Sequence, residues 1–511
     1  MNILLKHLFI VFLILISFIS YSQNSQLAQE HFNNKQYDLA LKFFKKAWKK
    51  NKTDIEINYL YANCILKSNS DRSSAINLLE YVIGVDINYK NANLFLAKAY
   101  TYKHEYNKSK QVLDFFIKNY KDNDTLIIAE ALILSKQIST AKELIKDPLN
   151  VSFVNLGRMV NTKRSEFNPF IANDGMTLYY TSNKKYDVDL EELIMNIYLS
   201  KYSINGYWGK MKSIGKNINS SENEVIVGLS KNENKIITHV TFMDMPGDIL
   251  ISEKVKRRYG ELSELEKSIN SSKNEASASL SSNEDTLFFC SNREGGYGGQ
   301  DIYISVKLPN NTWGKPQNLG AQINTKYNET YPNINEKGNI LQFASDRPES
   351  MGGYDIFTIN KMGNTWGNIK NIGYPLNNNY DNFVITYSKS RRYAYTAQIR
   401  EGGMGGLDIY QVIFKQIPSP IVIYSGTIKQ RIQNKSEIIR TDITIELINS
   451  NTNKIIANSN YSKEGKYTFA MSPGDYEIII KGSSFQTKKI IITVPEQEIM
   501  NPIITKNIIV K

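Results

Sequence analysis

The sequence predicts a multidomain protein: an all-α helical repeat, then an all-β propeller, then a small β-sandwich. Three observations lead to this order: a period near 34 residues in 24–146, a period near 54 residues in 150–416, and short alternating strands in 421–511. A repeat that cannot bury its own apolar face stacks against its neighbours, so each period predicts one continuous assembly of units. A chain of 511 residues is also too long for a single core.

Residues 1–22 are predicted to be a secretory signal peptide. Lys6 gives a positive start, and Leu8–Ile19 is an apolar stretch too short to span a membrane well. Small residues follow, so we expect cleavage before Gln23; the alternative is an uncleaved membrane anchor. No cysteine follows this stretch, and no later segment approaches the length of a membrane span. We therefore expect an exported protein of the periplasm, soluble or peripherally attached to the outer membrane.

Residues 23–147 are predicted to form paired helices. Small residues recur 34 or 35 positions apart, which lets helices approach closely while larger apolar residues fill the remaining space. The pattern resembles tetratricopeptide repeats over about three units and a degenerate fourth at 125–145, without the Trp and Leu-Gly of that consensus. The two series of small residues are Ala28, Ala62 and Ala97, and Ala40, Ala75 and Ser109.

The second predicted helix carries its lysines opposite an apolar stripe that includes Ala40, Phe44 and Ala47. These lysines indicate either a solvated helix face, which we favour, or a surface for an acidic partner or an anionic lipid. They are Lys42, Lys45, Lys46, Lys49 and Lys50.

Three markers recur in 150–416 and define units of about 54 residues. An acidic residue opens each unit, an Asp-Ile-Tyr-like strand lies in its middle, and an aromatic-Gly pair leads to a closing Asn. Four strands in such a unit are typical of a propeller blade, so five units predict five blades, with six as the alternative. The opening residues are Glu166, Glu224, Glu275, Glu329 and Asp381; the middle strands begin at Asn196, Asp248, Asp301, Asp355 and Asp408; the closing residues are Asn219, Asn270, Asn324 and Asn377.

The fifth unit stops at Phe414 without its last strand. Residues 156–161 repeat the ending seen at 319–324. We therefore expect a strand from the start of this region to complete the final blade, which hides edge strands that would otherwise pair with other chains.

The pattern Ser-Asn-Arg followed by Gly-Gly-Xaa-Asp-Ile-Tyr resembles the WD40-like propellers related to TolB. It runs from Ser291 to Tyr303 and is degenerate in the first two units, which have a longer insert at 184–195 and only Met245 to Asp248, respectively. The glycine-rich loops are compatible with a phosphate or calcium site, but no Walker-type Lys-Ser/Thr and no ladder of Asp and Asn accompanies them. We favour tight connections in which the Asp caps a turn.

Residues 421–511 are predicted to form a β-sandwich, with turns at 462–465 and 472–475. This part resembles the carboxypeptidase-regulatory-like domain from Gly465 to Phe469 and from Pro473 to Tyr476. It has Ser-Phe at 484–485 where that family often has Gly-Tyr. The resemblance implies no peptidase activity.

No catalytic, cofactor-binding or metal-binding residue is predicted, so we expect neither an enzyme nor a cofactor. The four histidines form no His-Glu-x-x-His motif, and no Gly-x-Ser-x-Gly nucleophile elbow occurs. Cys64 and Cys290 lie in different predicted domains, so we expect buried thiols rather than a disulfide. The charge of +12 is spread along the chain without a nucleic-acid-binding motif, so nucleic acid is not an expected partner.

The order of the parts resembles a group of Bacteroidota envelope proteins of the PorE/OmpA-family type. This resemblance implies a non-enzymatic scaffold that binds other envelope proteins, at the outer membrane or the type IX secretion machinery. Members usually end in an OmpA-like domain that grips peptidoglycan; none follows the sandwich here, so peptidoglycan binding is not expected. The alternative is a glycan- or ligand-binding propeller, with or without hydrolase activity, whose mouth would gather carboxylates and aromatic rings.

Overall fold

A computed structural model describes residues 23–122, 124–187, 192–203, 206–241, 247–363, 365–432, 435–438, 443–460, 465–496 and 503–510. Several predicted features lie outside these residues. They are the signal peptide at 1–22, part of the insert at 184–195, Met245 and Pro246 of the second unit, and most of the turn at 462–465.

Packed helices form the N-terminal part, and the recurring small residues are buried among them. The two predicted series of small residues are fully buried, and the Ser109 hydroxyl donates to the carbonyl oxygen of Ala97 at 2.7 Å. A short 3-10 turn, Arg72–Ala75, precedes α4. The helices are α1 (23–33), α2 (Tyr37–Lys50), α3 (Ile55–Lys67), α4 (Ile76–Val85), α5 (Ala92–Tyr102), α6 (Tyr106–Asn119) and α7 (Thr125–Leu144).

The described residues between 151 and 414 form five antiparallel sheets, each with a path of four strands. The first strands of all five sheets line a common axis. Sheets 1 and 2 are sheet 1 (β2 Glu166–Ile171, β3 Thr177–Asp187, β4 Glu192–Lys201, β5 Lys212–Ser213) and sheet 2 (β6 Asn223–Leu229, β7 Lys235–Thr241, β8 Asp248–Val255, β10 Ser263–Glu264, with β9 Arg258–Tyr259 paired to β8). Sheets 3 and 4 are sheet 3 (β11 Ser277–Leu280, β12 Thr286–Ser291, β13 Asp301–Val306, β14 Gln317–Asn318) and sheet 4 (β15 Glu329–Ile334, β16 Ile340–Ser345, β17 Asp355–Met362, β19 Lys370–Asn371, with β18 Thr365–Trp366 paired to β17). Sheet 5 contains β20 (Ile385–Tyr387), β21 (Tyr393–Gln398), β22 (Asp408–Phe414) and β1 (Val151–Asn155).

Sheet 5 takes its outer strand from the N-terminal side of the region, which closes the ring. β1 pairs antiparallel with β22, and Val151 lies opposite Phe414. The strand comes just before the segment named from the sequence, because 156–161 instead forms a turn that ends at Asn161. The chain therefore passes from β1 in sheet 5 directly into β2 in sheet 1.

Apolar side chains join each sheet to the next around the ring. Such contacts contribute most of the stabilisation of a fold because they remove apolar surface from water. The pairs that share a cluster are Tyr179 and Ile236 (sheets 1 and 2), Ile237 and Leu287 (sheets 2 and 3), Phe288 and Leu341 (sheets 3 and 4), Ile356 and Val412 (sheets 4 and 5), and Tyr395 and Tyr180 (sheets 5 and 1).

The C-terminal part is two packed sheets whose core includes Tyr424, Leu447, Phe469 and Ile478. It joins the ring where Arg392 forms an ion pair with Glu496 at 2.7 Å. One sheet contains β23 (Val422–Ile432), β24 (Lys435–Ile438), β27 (Lys466–Met471), β30 (Ile503–Thr505) and β31 (Ile508–Val510); the other contains β25 (Ile443–Asn449), β26 (Ile455–Asn460), β28 (Gly474–Gly482) and β29 (Phe485–Val494).

None of the helices in the described part of the chain has the length and apolar character needed to cross a membrane.

Ala97→Leu is expected to lower the free energy of unfolding by about 1–3 kcal/mol, because a larger side chain cannot fit between packed helices. Ala129→Leu is the matched control, since Ala129 is exposed on α7 and Leu is also a good helix former. Urea unfolding of both variants measures the difference. Equal stability would contradict close packing at Ala97.

Candidate functional site

Buried polar side chains hold both ends of each connection between neighbouring sheets. Between sheets 3 and 4, Asn324 accepts a hydrogen bond from the backbone nitrogen of Ile302 at 2.8 Å and donates to its carbonyl oxygen at 2.9 Å. Five residues later, Glu329 accepts from the nitrogen and hydroxyl of Thr325 at 2.7 and 2.8 Å. It also accepts from the Ser345 hydroxyl at 2.9 Å. The connection is therefore fastened to the sheet it leaves and to the sheet it enters.

The same spacing of five residues recurs in every connection of the ring. In sheet 5 the second position is Asn382, which accepts from the backbone nitrogen of Asn378 at 2.8 Å. The prediction of Asp381 at this position is wrong by one residue, because Asp381 forms an ion pair with Arg72 instead. The five pairs are Asn161 and Glu166, Asn219 and Glu224, Asn270 and Glu275, Asn324 and Glu329, and Asn377 and Asn382.

The Asp of the Asp-Ile-Tyr-like strand holds the glycine-rich loop before it. Asp355 accepts from the backbone nitrogen of Met351 at 2.9 Å and from the Asn371 amide at 2.6 Å. Asp301 and Asp408 hold the loops of sheets 3 and 5 in the same way. Burial raises the pKa of Asp355 to about 8, so this carboxyl group keeps its proton at neutral pH.

The helices dock on the ring through the buried side chain of Arg72, which is 11% exposed. Its guanidinium group forms an ion pair with Asp381 at 3.3 Å and donates to the Tyr102 hydroxyl at 3.0 Å. The group also lies over the rings of Tyr102 and Tyr380, 5.4 and 5.6 Å from their centroids. Arg72 thereby joins α5 to the connection between sheets 4 and 5.

Further contacts extend this interface along the rim that carries the glycine-rich loops. The Tyr106 hydroxyl donates to the Asn379 side chain at 2.7 Å, and Met351 is buried among apolar residues of the helices. A Cβ at Gly406 would lie 2.7 Å from the carbonyl oxygen of Asn69, so only glycine permits this approach. The helices therefore cover part of this rim.

An axial cavity of about 260 Å³ opens at the other end of the first strands. Tyr331 and Phe383 form an aromatic floor, with ring centroids 5.2 Å apart, and the Tyr331 hydroxyl accepts from the Asn168 amide at 3.2 Å. Asn168 and Tyr331 both adopt a left-handed backbone, at φ 50° and 49°, within bulges of β2 and β15. A bulge changes the direction of a side chain, and here the two redirected side chains meet at the axis.

The rim of this axial cavity is mainly basic. Lys231, Lys389 and Arg391 line it, together with one carboxylate, that of Glu336. Lys231 forms an ion pair with Glu336 and lowers the pKa of that carboxyl group through their hydrogen bond. The Arg391 guanidinium lies 5.5 Å from the centroid of the Tyr387 ring.

Both cysteines are free and buried. Burial raises the pKa of Cys64 to about 12, and it also raises the pKa of Cys290. A thiol that keeps its proton is a poor nucleophile and a poor metal ligand. Within the described ranges, no three side chains of His, Cys, Asp or Glu come together as metal ligands.

Neither the docking contact nor the basic rim is predicted from the sequence. Arg72 and Asp381 are 309 residues apart, and no periodic marker links them. Lys231 belongs to a turn of sheet 2, and Lys389 and Arg391 belong to a turn of sheet 5; charged residues are common in such exposed turns. The sequence contains one signal of the docking contact. In the fifth unit the acidic residue, Asp381, stands one position before the place that a glutamate occupies in the other units.

No protein-family model and no curated protein matches the chain. Among solved structures, TolB from Acinetobacter baumannii is similar at 14% identity, over 50% of this chain and 56% of that one, with a TM-score of 0.32. A sialidase of Trypanosoma rangeli is similar at 10% identity, over 68% and 89%, with a TM-score of 0.35. An endo-arabinase of Bacteroides thetaiotaomicron is similar at 14% identity, over 51% and 96%, with a TM-score of 0.33. Similarities of this extent bear on neither activity nor partner.

The raised pKa of Asp355 predicts a pH-dependent stability. The folded protein keeps this proton up to about pH 8, whereas the unfolded chain releases it near the ordinary value of 3.8. Unfolding between these values releases a proton, so the contribution of Asp355 to the free energy of unfolding falls as the pH rises from about 4 to about 8. Asp355→Asn should remove this part of the slope in urea titrations at several pH values. The exposed Asp285→Asn is the control, and an unchanged slope in Asp355→Asn would refute the assignment.

Glu329→Gln is expected to destabilise the ring by about 3–5 kcal/mol. The change leaves the buried Arg347 guanidinium, now 2.9 Å from Glu329, without its counter-charge. Glu143→Gln is the control because its pair with Lys146 lies in solvent, where such pairs contribute little. Chemical unfolding compares the two, and an equally small effect of both changes would show that Glu329 does not hold the connection.

Proposed function

We propose that this chain is a non-enzymatic scaffold that binds other proteins of the bacterial cell envelope. The observation that carries the proposal is that two arginines with little exposed surface form ion pairs that join its three parts. Arg72 links the helices to the ring through Asp381, and Arg392 links the ring to the C-terminal sheets through Glu496. Such a body offers broad, fixed surfaces to partners without a reaction centre.

The polar residues repeated around the ring support a non-enzymatic role. Glu166, Glu275 and Glu329 are fully buried and accept hydrogen bonds from the connections that they hold. Glycoside hydrolysis uses a pair of carboxyl groups on either side of the bond that is cleaved. The lining of the axial cavity contributes one carboxylate, Glu336, which Lys231 already pairs.

The same proposal assigns each of the three parts of the chain to a domain type. The helices are tetratricopeptide-like repeats, the ring is a five-bladed propeller of the TolB-related WD40-like type, and the last part is a carboxypeptidase-regulatory-like domain. A protein with this order of parts would be exported to the periplasm of a Bacteroidota cell and would act at the outer membrane or at the type IX secretion machinery.

The last helix offers a surface for protein recognition. Ile128 and Leu132 of α7 are 40% and 57% exposed, and their spacing of four residues places them one turn apart on the same face of the helix. Neighbouring exposed apolar side chains of this size mark interaction surfaces more often than isolated ones do. This surface lies on the helices, apart from the contacts of Arg72 with the ring.

A photo-crosslinking residue at position 128 of the full chain, expressed in its own cells, is expected to give one discrete protein adduct. The matched control is position 143, which is also exposed on α7 but is a glutamate about four turns away. Leu132→Ser should reduce the adduct from position 128 at least several-fold, because it removes the apolar side chain one turn along the same face without touching the core. Equal labelling from positions 128 and 143, or no adduct from either, would contradict the proposed surface.

A further inference from the structure

The axial cavity brings together three kinds of surface. Tyr331 and Phe383 supply aromatic rings at its floor, Gln342 supplies an amide at its wall, and Lys389 and Arg391 supply positive charge at its rim. A concave site with apolar walls and a few convergent polar groups is typical of small-molecule binding. The first strands of all five sheets contribute to it, so its shape is fixed by the ring itself.

The positive charge at the rim exceeds the negative charge that balances it. In the part of the chain that the structure describes, the ion pair at the rim joins Lys231 to Glu336, and no carboxylate lies within 4.0 Å of Lys389 or Arg391. Lys389 still acts on Glu336 through its charge, because it adds to the lowering of the pKa of that carboxyl group by Lys231. Three cations therefore share one lining carboxylate, and a bound anion reduces the repulsion that remains among them.

The size of the axial cavity limits the occupant. About 260 Å³ is below the range of about 300–1,000 Å³ that is usual for pockets of drug-sized ligands, so the cavity suits one sugar residue rather than an oligosaccharide. A metal ion is unfavourable because the rim is positive. The Gln342 amide already donates to the Tyr387 hydroxyl at 3.4 Å, but a purely apolar ligand would leave the excess positive charge of the rim without a partner.

We propose that the axial cavity binds a small acidic sugar. Its carboxylate or phosphate group lies between Lys389 and Arg391, where charge-assisted hydrogen bonds form. Its ring lies over Tyr331 and Phe383, so that its apolar face leaves water, while a hydroxyl group reaches Gln342. The proposal does not depend on the scaffold role, because it concerns the rim opposite the helices.

Isothermal titration calorimetry of the intact protein with galacturonate and with galactose tests this proposal. The two sugars differ in one acidic group, and galacturonate should bind at least about ten-fold more tightly. Trigalacturonate distinguishes the source of the ligand: tighter binding of the trimer indicates the end of an acidic polysaccharide, and weaker binding indicates a free sugar. Equal affinity for galacturonate and galactose, or no heat from any of the acidic sugars, would overturn the proposal.

The double variant Lys389→Gln/Arg391→Gln should weaken galacturonate binding at least ten-fold and leave the melting temperature unchanged, because both side chains are exposed on a turn. The matched control is Lys315→Gln/Lys370→Gln, which removes the same charge from exposed positions outside the axial cavity. Its affinity should equal that of the natural protein. Equal affinity in the two double variants would show that the rim does not hold the anion.

Discussion

The ring depends on a pair of buried polar side chains that recurs in each connection between sheets. The first, an asparagine, forms hydrogen bonds with the preceding sheet. The second, five residues later, holds the connection to the following sheet. Among the residues that the structure describes, neighbouring sheets share no ladder of backbone hydrogen bonds, so apolar clusters supply most of their cohesion. Apolar contact has no preferred direction, whereas a hydrogen bond requires a defined distance and angle. The paired contacts, such as those of Asn324 and Glu329, therefore set how each sheet is placed on the next.

Sheet 5 shows how one connection can be altered without losing this function. In sheet 4 the carboxylate of Glu329 is balanced by Arg347, which also donates to the carbonyl oxygen of Ile323 at 2.8 Å. In sheet 5 the glutamate position is the neutral Asn382, and Gln398 donates to the equivalent carbonyl oxygen of Leu376 at 2.7 Å. Two neutral amides thus replace a buried ion pair, which avoids the cost of removing two charges from water. The adjacent Asp381 is consequently available to Arg72.

The sequence could predict the repeats and their markers because each marker is a local requirement that recurs at a fixed interval. A buried Asn324 or Asp355 holds a turn that its own unit needs, so the same residue type returns in the next unit. The strand that completes sheet 5 was also expected, although Val151–Asn155 precedes the segment that was named. The Arg72 contact and the axial cavity could not be found in this way, because each joins residues whose only relation is their position in the folded ring. Tyr331 gave no signal either, since its left-handed backbone follows from a bulge rather than from its residue type.

The two ends of the first strands in the five sheets therefore differ: one end contacts the helices, and the other opens to solvent. β15 has 6 residues, so about 20 Å separates the connection at its start from the turn at its end. At one end, the helices cover part of the rim that the connections and glycine-rich loops form, and Arg72 and Met351 lie in this interface. The turns carry Lys389 and Arg391 and remain open to solvent. A molecule bound at the open rim and a protein bound to the helices occupy separate surfaces, and any coupling between them must pass through the first strands and the buried side chains that fasten them.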